Sequence, residues 1–276
     1  MLVSRQSQPL MVSAFLLSLL GSAAAARKPV IVVADVGVDD AAGLLYVLGS
    51  PSLELLGIAS SFGCHRDPAQ TATNARRLLA AANRSDVPVY VGAKYPLGTS
   101  KPLWTEQEWQ ARVEAGTVFH GATGLGEPPP AGDEACAAME THISAAEFIA
   151  SAVRERAPGT VTLISFSPLP DVALALLLEP RLPSLLHALV LMGGATGETG
   201  VVNAHGNAMA LSEANFYHDP AAAQLVLRAF SAPDATAEVV VAPLDVTMAH
   251  AVPQEVVDRW AKLGAAAALF ADAYAA

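Results

Sequence analysis

The sequence predicts an α/β fold built on a mainly parallel open sheet with helices on both faces. Three observations support this prediction: an apolar run that ends in a cluster of carboxylates, a regular alternation of strand and helix patterns behind it, and capping residues where helices begin. Strands that alternate with helices imply parallel neighbours joined by crossover helices, and such sheets are covered on both faces.

The stretch from Val30 to Asp40, VIVVADVGVDD, is the element around which we expect the chain to be organised. Its β-branched apolar residues predict a buried strand that places Asp35 at its carboxyl end, where open α/β sheets bind ligands. Asp39 and Asp40 would open a helix over 41–48. Carboxylates this close repel one another unless a cation lies between them, which favours Ca²⁺ or Mg²⁺. The alternative is that Asp39 only caps the helix and Asp40 is solvated.

Strand and helix patterns continue to the C-terminus. Strands are predicted over 53–60, 87–91, 160–164, 188–192 and 239–241, and helices over 68–82, 145–156, 169–177, 220–230 and from 255 to the end. Three helix starts carry capping signatures: Asp67 before Pro68 with Gln70 reaching back, Ser144 with Glu147, and Asp219 before Pro220. The loop over 92–135 is long enough to serve as a lid or binding loop.

Residues 1–26 predict a secretory signal peptide. Arg5 precedes an apolar core over 10–20 and a run of small residues over 22–26. The core is too short to span a bilayer comfortably, so we expect cleavage near Ala25 or Ala26. The mature domain over 27–276 would then be in a secreted or vacuolar compartment, with no membrane contact. An uncleaved anchor is the alternative.

The composition indicates one compact globular domain. Hydrophobic residues make up 53% of the chain and charged residues only 15%. A formal net charge of −10 argues against nucleic-acid binding, which usually requires a basic face. Two cysteines, Cys64 and Cys136, are too few for a disulfide scaffold, although an exported chain could join them. Asn83-Arg84-Ser85 is a candidate glycosylation acceptor after a helix.

Short motifs run in one order from residue 28 to the C-terminus. They are ADVGVDD at 34–40, Gly63, Thr73-Asn74-Ala75, Pro88 to Gly92, His120-Gly121 with Gly124-Leu125, Pro168-Leu169, Met192 to Ala195, Gly206-Asn207, Glu213-Ala214-Asn215, Asp219-Pro220 and Leu244 to Thr247. In this order they resemble the inosine-uridine-preferring nucleoside hydrolase family. The resemblance implies a Rossmann-like sheet, hydrolysis of the N-glycosidic bond of ribonucleosides, a small-molecule nucleoside as the partner, a bound Ca²⁺ and, because family members are often dimers or tetramers, a homo-oligomer as an open expectation.

The resemblance also implies the metal-binding and catalytic residues. Asp35 and Asp40 would bind the ion, together with the backbone carbonyl of Phe166. Asp35 would also take a proton from metal-bound water, and Asp39 would hold a ribose hydroxyl. Bond cleavage passes through an oxocarbenium-like sugar, so carboxylates near the ring stabilise the developing positive charge.

Four further residues are implied to bind the substrate. Asn207, Glu213 and Asn215 match the family positions that grip ribose hydroxyls. His120 could line the base pocket, although a histidine before glycine is more often a loop residue.

Two departures from the family pattern affect the prediction of activity. Gly63-Cys64 stands where the family usually has Gly-Asn, and a thiol cannot supply an amide's paired donor and acceptor. We favour a small buried residue or a disulfide partner of Cys136 over a nucleophile. Family members also continue beyond the helix expected over 255–275 with a His-Asp pair, which implies a fragment or a truncated homologue whose apolar stretch 265–270 is uncovered.

Three hypotheses therefore stand at this point. The first is a secreted ribonucleoside hydrolase. The second is a nucleoside- or ribose-binding protein in which turnover is impaired. The third is a metal-dependent hydrolase of another substrate such as a phosphoester, against which stands the lack of a Gly-rich phosphate cradle or an Arg cluster beside the acidic turn.

Overall fold

A six-stranded parallel sheet forms the centre of the part of the chain that the computed structural model describes, residues 26–126, 142–196, 207–208, 212–250 and 252–275. The strands are β1 (Lys28–Ala34), β2 (Leu53–Ser60), β3 (Val89–Tyr90), β4 (Thr162–Ser165), β5 (Ala188–Met192) and β6 (Glu238–Ala242). Their order is β3-β2-β1-β4-β5-β6. The chain therefore winds outward from β1 in both directions, and a crevice forms where β1 and β4 meet.

Helices lie in the segments that connect the strands and in the segment after the last strand. These are α1 (Val38–Gly49), α2 (Pro68–Ala81), α3 (Glu106–Glu114), α4 (Ala145–Arg154), α5 (Pro170–Leu178), α6 (Leu182–Leu185), α7 (Ala214–His218), α8 (Pro220–Phe230), α9 (Leu244–Ala249), α10 (Gln254–Trp260) and α11 (Ala265–Ala275). The expected α/β class and the parallel sheet are confirmed.

The apolar run of β1 is buried on both faces of the sheet. Ile31 and Val33 belong to one apolar cluster, in which helices α4, α5 and α8 cover the sheet. Val30 and Val32 belong to a second cluster on the opposite face, with α1, α2 and α11. This two-sided burial explains why β1 reads as a continuous apolar run rather than as an alternating one.

Capping residues set the helix starts as expected, with one exception. Asp67 accepts the N–H of Ala69, Ser144 forms a capping box with Glu147, and Asp219 accepts the N–H of Ala222. The Gln70 side chain does not reach back to the cap, because its amide donates to Asn74 Oδ1 at 3.1 Å instead.

The C-terminal region differs from the expected single helix. The prediction of one helix from 255 to the end is wrong. Gly264 adopts a φ of +149° and separates α10 and a short 3₁₀ turn from α11. The expectation that 265–270 lies uncovered is also wrong, because Ala266 and Phe270 are buried in the second cluster. None of the described helices is long and apolar enough to cross a membrane. The predicted signal peptide lies outside the described residues, apart from Ala26.

Candidate active site

Four parallel strands end at the same edge of the sheet, and the candidate residues follow them. Asp35 follows β1, Cys64 follows β2, Phe166 follows β4, and the segment after β5 reaches Glu213 at the start of α7. Parallel strands bring their carboxyl ends together, so these residues meet at one site although they are far apart in sequence.

Asp35 and Asp40 form the buried floor of the site, and each is only 3% exposed. Asp35 Oδ2 accepts the N–H of Cys64, and Asp40 Oδ2 accepts the N–H of Gly37 at 3.1 Å. The Oδ1 atoms of both carboxylates are buried without a hydrogen-bond partner. The alternative of a solvated Asp40 is therefore wrong, because the first turn of α1 directs this side chain inward.

The electrostatics of the two carboxylates favour a cation between them. Burial raises the pKa of Asp35 to about 7, and the charge of Asp39 adds to this effect while hydrogen bonds from Cys64 oppose it. Burial, followed by the charges of Asp35 and Asp39, raises the pKa of Asp40 well above its usual range. Buried, unpartnered carboxylate oxygens are the ligands that a hard divalent ion requires, so the residues present fit a metal.

Gly63 is required by the close approach of Asp35 to the turn after β2. Its φ is +152°, and a Cβ there would lie 2.8 Å from Asp35 Cγ. A residue with a side chain at this position would displace the Asp35 carboxylate.

Asp39 and His120 lie at the mouth of the site. The Asp39 side chain is 75% exposed, and its Oδ1 lies 3.8 Å from His120 Nδ1. The N–H of Val38 donates to the same nitrogen at 3.3 Å. Burial lowers the pKa of His120, although the charge of Asp39 opposes this effect. The structure thus places the His120 ring beside Asp39, and a role for His120 in lining the base pocket remains a prediction.

Cys64 lies between the floor and the mouth of the site. It is a free cysteine, so the disulfide to Cys136 is not formed by this side chain, and Cys136 itself lies outside the described residues. Burial raises the pKa of its thiol, and so do the charges of Asp35, Asp40 and Asp39. A protonated thiol is a poor nucleophile, which agrees with the preferred interpretation of this position.

The remaining predicted residues are held by internal hydrogen bonds. The Phe166 carbonyl accepts the Asn215 amide at 2.7 Å, and the same amide donates to the Met192 carbonyl at 3.1 Å. Glu213 caps α7 and accepts N–H groups from Gly194, Asn215 and Phe216. These bonds fix the orientation of Asn215 and Glu213, and the ligand roles of Phe166, Asn215 and Glu213 remain predictions.

Asn207 lies further from this network. It is exposed, and its Oδ1 accepts the N–H of Ala214 at 2.8 Å, which ties it to the first residue of α7. Its contact with a ribose hydroxyl also remains a prediction.

The family model for the inosine-uridine preferring nucleoside hydrolases matches residues 30–276. The chain belongs to this family. Thus the resemblance inferred from the motifs is confirmed over nearly the whole chain, and the match includes the acidic turn and the Glu213 segment together.

Relatives of this nucleoside hydrolase family member include proteins from yeast, plants and bacteria. An uncharacterised Schizosaccharomyces pombe protein is 35% identical over 79% of this chain and 61% of its own length. A probable uridine nucleosidase 2 of Arabidopsis thaliana is 32% identical over 72% of this chain and 56% of its own length. A pyrimidine-specific ribonucleoside hydrolase of Escherichia coli is 35% identical over 86% of this chain and 66% of its own length. The chain thus spans less than two thirds of these curated relatives.

Solved structures of the same family share the fold. A purine-preferring ribonucleoside hydrolase from Gardnerella vaginalis superposes with a TM-score of 0.73 at 28% identity, over 90% of this chain and 72% of that one. A plant nucleoside hydrolase superposes with a TM-score of 0.70 at 26% identity, over 90% of this chain and 71% of that one.

Asn74 is a residue of this family member whose role the sequence did not reveal. It is fully buried on α2, and its amide donates to the Val36 carbonyl at 3.1 Å and to the Thr123 carbonyl at 2.9 Å. It therefore joins the acidic turn to the loop that carries His120. The available signal was a buried amide on the apolar face of a helix, which needs hydrogen-bond partners.

Proposed function

We propose that this chain hydrolyses the N-glycosidic bond of ribonucleosides, releasing ribose and free base, with Ca²⁺ as the bound ion. The observation that carries the proposal is the pair of buried, unpartnered oxygens, Asp35 Oδ1 and Asp40 Oδ1, at the switch point of the sheet. Oxygen ligands on a short turn suit Ca²⁺, which also accepts ribose hydroxyls.

The side chains of the site supply the proton transfer and the charge stabilisation. Ca²⁺ held by Asp35 and Asp40 would lower the pKa of a bound water. Asp35 takes a proton from the water whose oxygen forms the new bond to C1′, and the C1′–N bond breaks with its electron pair passing to the base. The base takes up a proton from solvent, and Asp35 later returns its own proton to solvent. Asp39 and Glu213 place negative charge near the sugar ring, where positive charge develops in the transition state.

Release of ribose from inosine and from uridine tests this proposal. Both nucleosides are required because the relatives named above include pyrimidine-specific and purine-preferring enzymes. The full chain is assayed with Ca²⁺ and with a chelator, beside Asp35→Asn, which keeps the size of the side chain but removes the base. We expect chelator-sensitive release that the variant loses. Equal release by the variant, or no release from a folded chain, would contradict the proposal.

A second candidate is nucleoside or ribose binding without turnover, and the contacts of Cys64 favour it. Both the backbone N–H and the thiol of Cys64 hydrogen-bond to Asp35, and both bonds oppose the rise in its pKa that burial causes. Those bonds weaken Asp35 as a base. Calorimetric binding of ribose to a chain that releases none would support this candidate, and Cys64→Asn, which introduces the amide usual in the family, would then restore release.

We also propose that the chain is exported after cleavage of residues 1–26. The charged start, the apolar core and the small-residue run support this proposal. N-terminal sequencing of the secreted product tests it, and a product that retains Met1 would contradict it.

A further inference from the structure

Cys64 belongs to two groups of metal-ligating side chains at once. Ligand atoms of Asp35, Asp40 and Cys64 lie within 4.8 Å of one another, and so do those of Asp39, Cys64 and His120. We propose that Cys64, His120 and Asp39 bind a thiophilic divalent cation of the Zn²⁺ kind. This site adjoins the oxygen-lined position between Asp35 and Asp40, because the Cys64 thiol borders both.

The two non-carboxylate ligands converge over one glycine. A Cβ at Gly37 would meet the Cys64 thiol and would lie 3.0 Å from His120 Nδ1. No side chain at Gly37 therefore separates sulfur from nitrogen. Asp39 Oδ1 lies 3.8 Å from the same nitrogen. Two ligands at about 2.0–2.1 Å from a tetrahedral Zn²⁺ lie about 3.3 Å apart, so a small movement of the exposed Asp39 side chain completes the geometry.

His120 already has the tautomer that a metal requires at Nδ1. Because the N–H of Val38 donates to Nδ1, that nitrogen is unprotonated, and its lone pair is directed at Val38. The bond is long, at 3.3 Å, and it comes from the first turn of α1, where N–H groups have no helical partner. A cation with neutral imidazole as ligand replaces this bond without changing the tautomer.

The ligand set distinguishes this cation from Ca²⁺. Thiolate and imidazole favour Zn²⁺ and similar ions, whereas Ca²⁺ takes oxygen ligands almost exclusively. Coordination releases one proton from the Cys64 thiol, and the resulting thiolate is the spectroscopic mark of the site. Cation binding at this position is measured without substrate, so its test does not depend on whether the chain hydrolyses nucleosides.

Titration of the full chain with Co²⁺ tests the proposal, since a thiolate ligand gives a sulfur-to-cobalt charge-transfer band in the near ultraviolet. We expect the band in the unaltered chain and in Cys136→Ser, which removes the only other cysteine of the sequence. The band is lost in Cys64→Ser. Zn²⁺ displaces Co²⁺ and abolishes the band, whereas a large excess of Ca²⁺ does not. His120→Gln retains the thiol but weakens Zn²⁺ binding by at least about tenfold in calorimetry.

Circular dichroism spectra of each variant establish that the chain is folded. Cys64→Asn provides a second substitution of similar size if Cys64→Ser does not fold. A band that persists without Cys64, a band that Cys136→Ser abolishes, or Zn²⁺ affinity unchanged in His120→Gln would each overturn the proposal.

Discussion

Asp171 and Asp219 hold the same loop from two different helices. Asp171 Oδ1 in α5 accepts the N–H of Ala93 at 2.9 Å, and Asp219 Oδ2 at the start of α8 accepts the N–H of Leu97 at 2.6 Å. Both residues are 1% exposed, and Asp171 Oδ2 is buried without a partner. The segment that leaves β3 is therefore fixed at both ends by buried carboxyl groups.

The stability of the protein should depend on the protonation of Asp171. Burial raises the pKa of this carboxyl from 3.8 to about 7, and the charge of Asp219 adds to this effect. Between about pH 4 and pH 7 the folded chain keeps a proton that the unfolded chain releases. This contribution to stability is complete below about pH 4 and is lost as the pH rises to about 7, by on the order of 1–4 kcal/mol.

Urea unfolding of the unaltered chain and of Asp171→Asn across this pH range measures the effect. As the pH rises, the free energy of unfolding of the unaltered chain should fall relative to that of Asp171→Asn. Titrating groups that the two proteins share contribute equally to both and cancel in this comparison. Asp86→Asn is the control, because Arg84 lowers the pKa of Asp86 and its titration lies below this range. A flat difference for Asp171→Asn would contradict the prediction.

Ca²⁺ should stabilise the chain through Asp40. At a free concentration of about 100 times Kd, binding to the folded state alone adds about 2.7 kcal/mol. Thermal unfolding with Ca²⁺ and with chelator should therefore show a rise in Tm, and Asp40→Asn should abolish it. In chelator the variant should be at least as stable as the unaltered chain, because it removes an ionisable group whose charged form is disfavoured by burial and by the charge of Asp35. Asp258→Asn, at an exposed position on α10, should keep the full response to Ca²⁺.

Gly63→Ala should destabilise the chain more than Gly98→Ala. Both glycines have positive φ, +152° and +82°, so both variants carry backbone strain of about 1 kcal/mol or more. Only the Cβ at position 63 would meet other atoms, at 2.8 Å from Asp35 Cγ and 3.2 Å from Pro168 Cδ, whereas the space around Gly98 is open. Urea unfolding compares the two costs, and Gly63→Ala should also reduce the stabilisation by Ca²⁺. Equal costs would show that strain alone matters.

Asn74→Ala should loosen the loop that carries His120. The substitution leaves the Val36 and Thr123 carbonyls without their amide partner, at a cost of about 1–3 kcal/mol. Hydrogen exchange over residues 120–126 should accelerate. Thr73→Ala changes the adjacent, partly exposed position of α2 and serves as the control. It should change the free energy of unfolding by no more than about 0.5 kcal/mol, and the exchange rates over 120–126 by no more than the factor that corresponds to this energy. Unchanged hydrogen exchange over 120–126 in Asn74→Ala would show that Asn74 does not hold the loop with His120 to the acidic turn.

The sequence predicted the central strands well, because the burial of a strand is visible in the residues of the strand itself. The strands over 53–60 and 188–192 have the expected bounds, since buried parallel strands are continuous apolar runs. Short helices such as α7 and α9 were missed, because a single turn or two carries little periodicity and depends on tertiary contacts. The helix α3 had a readable start, since Thr105 and Glu108 form a capping box within the long loop.

The sequence predicted those site residues that lie together in one short motif. It did not predict contacts between residues from distant segments of the chain. Asp35 and Asp40 lie on the acidic turn, so their common position followed from spacing. The hydrogen bonds of Asn215 to Phe166 and of Asn74 to Thr123 join segments about 50 residues apart, and no local pattern indicates such pairs. Cys64 was recognised as a departure, but its contact with Asp35 depends on how the turn after β2 folds back.

The placement of α11 has a consequence for the order in which the protein is made. The apolar layer that supports α1, and with it the acidic turn, contains Phe270 from the far end of the described chain. During synthesis on a ribosome, the opposite layer, built from β1 and helices α4 to α8, can assemble earlier. Until α11 has emerged, the second cluster lacks Ala266 and Phe270, and the apolar layer beneath the acidic turn stays incomplete although α1 and α2 are already made.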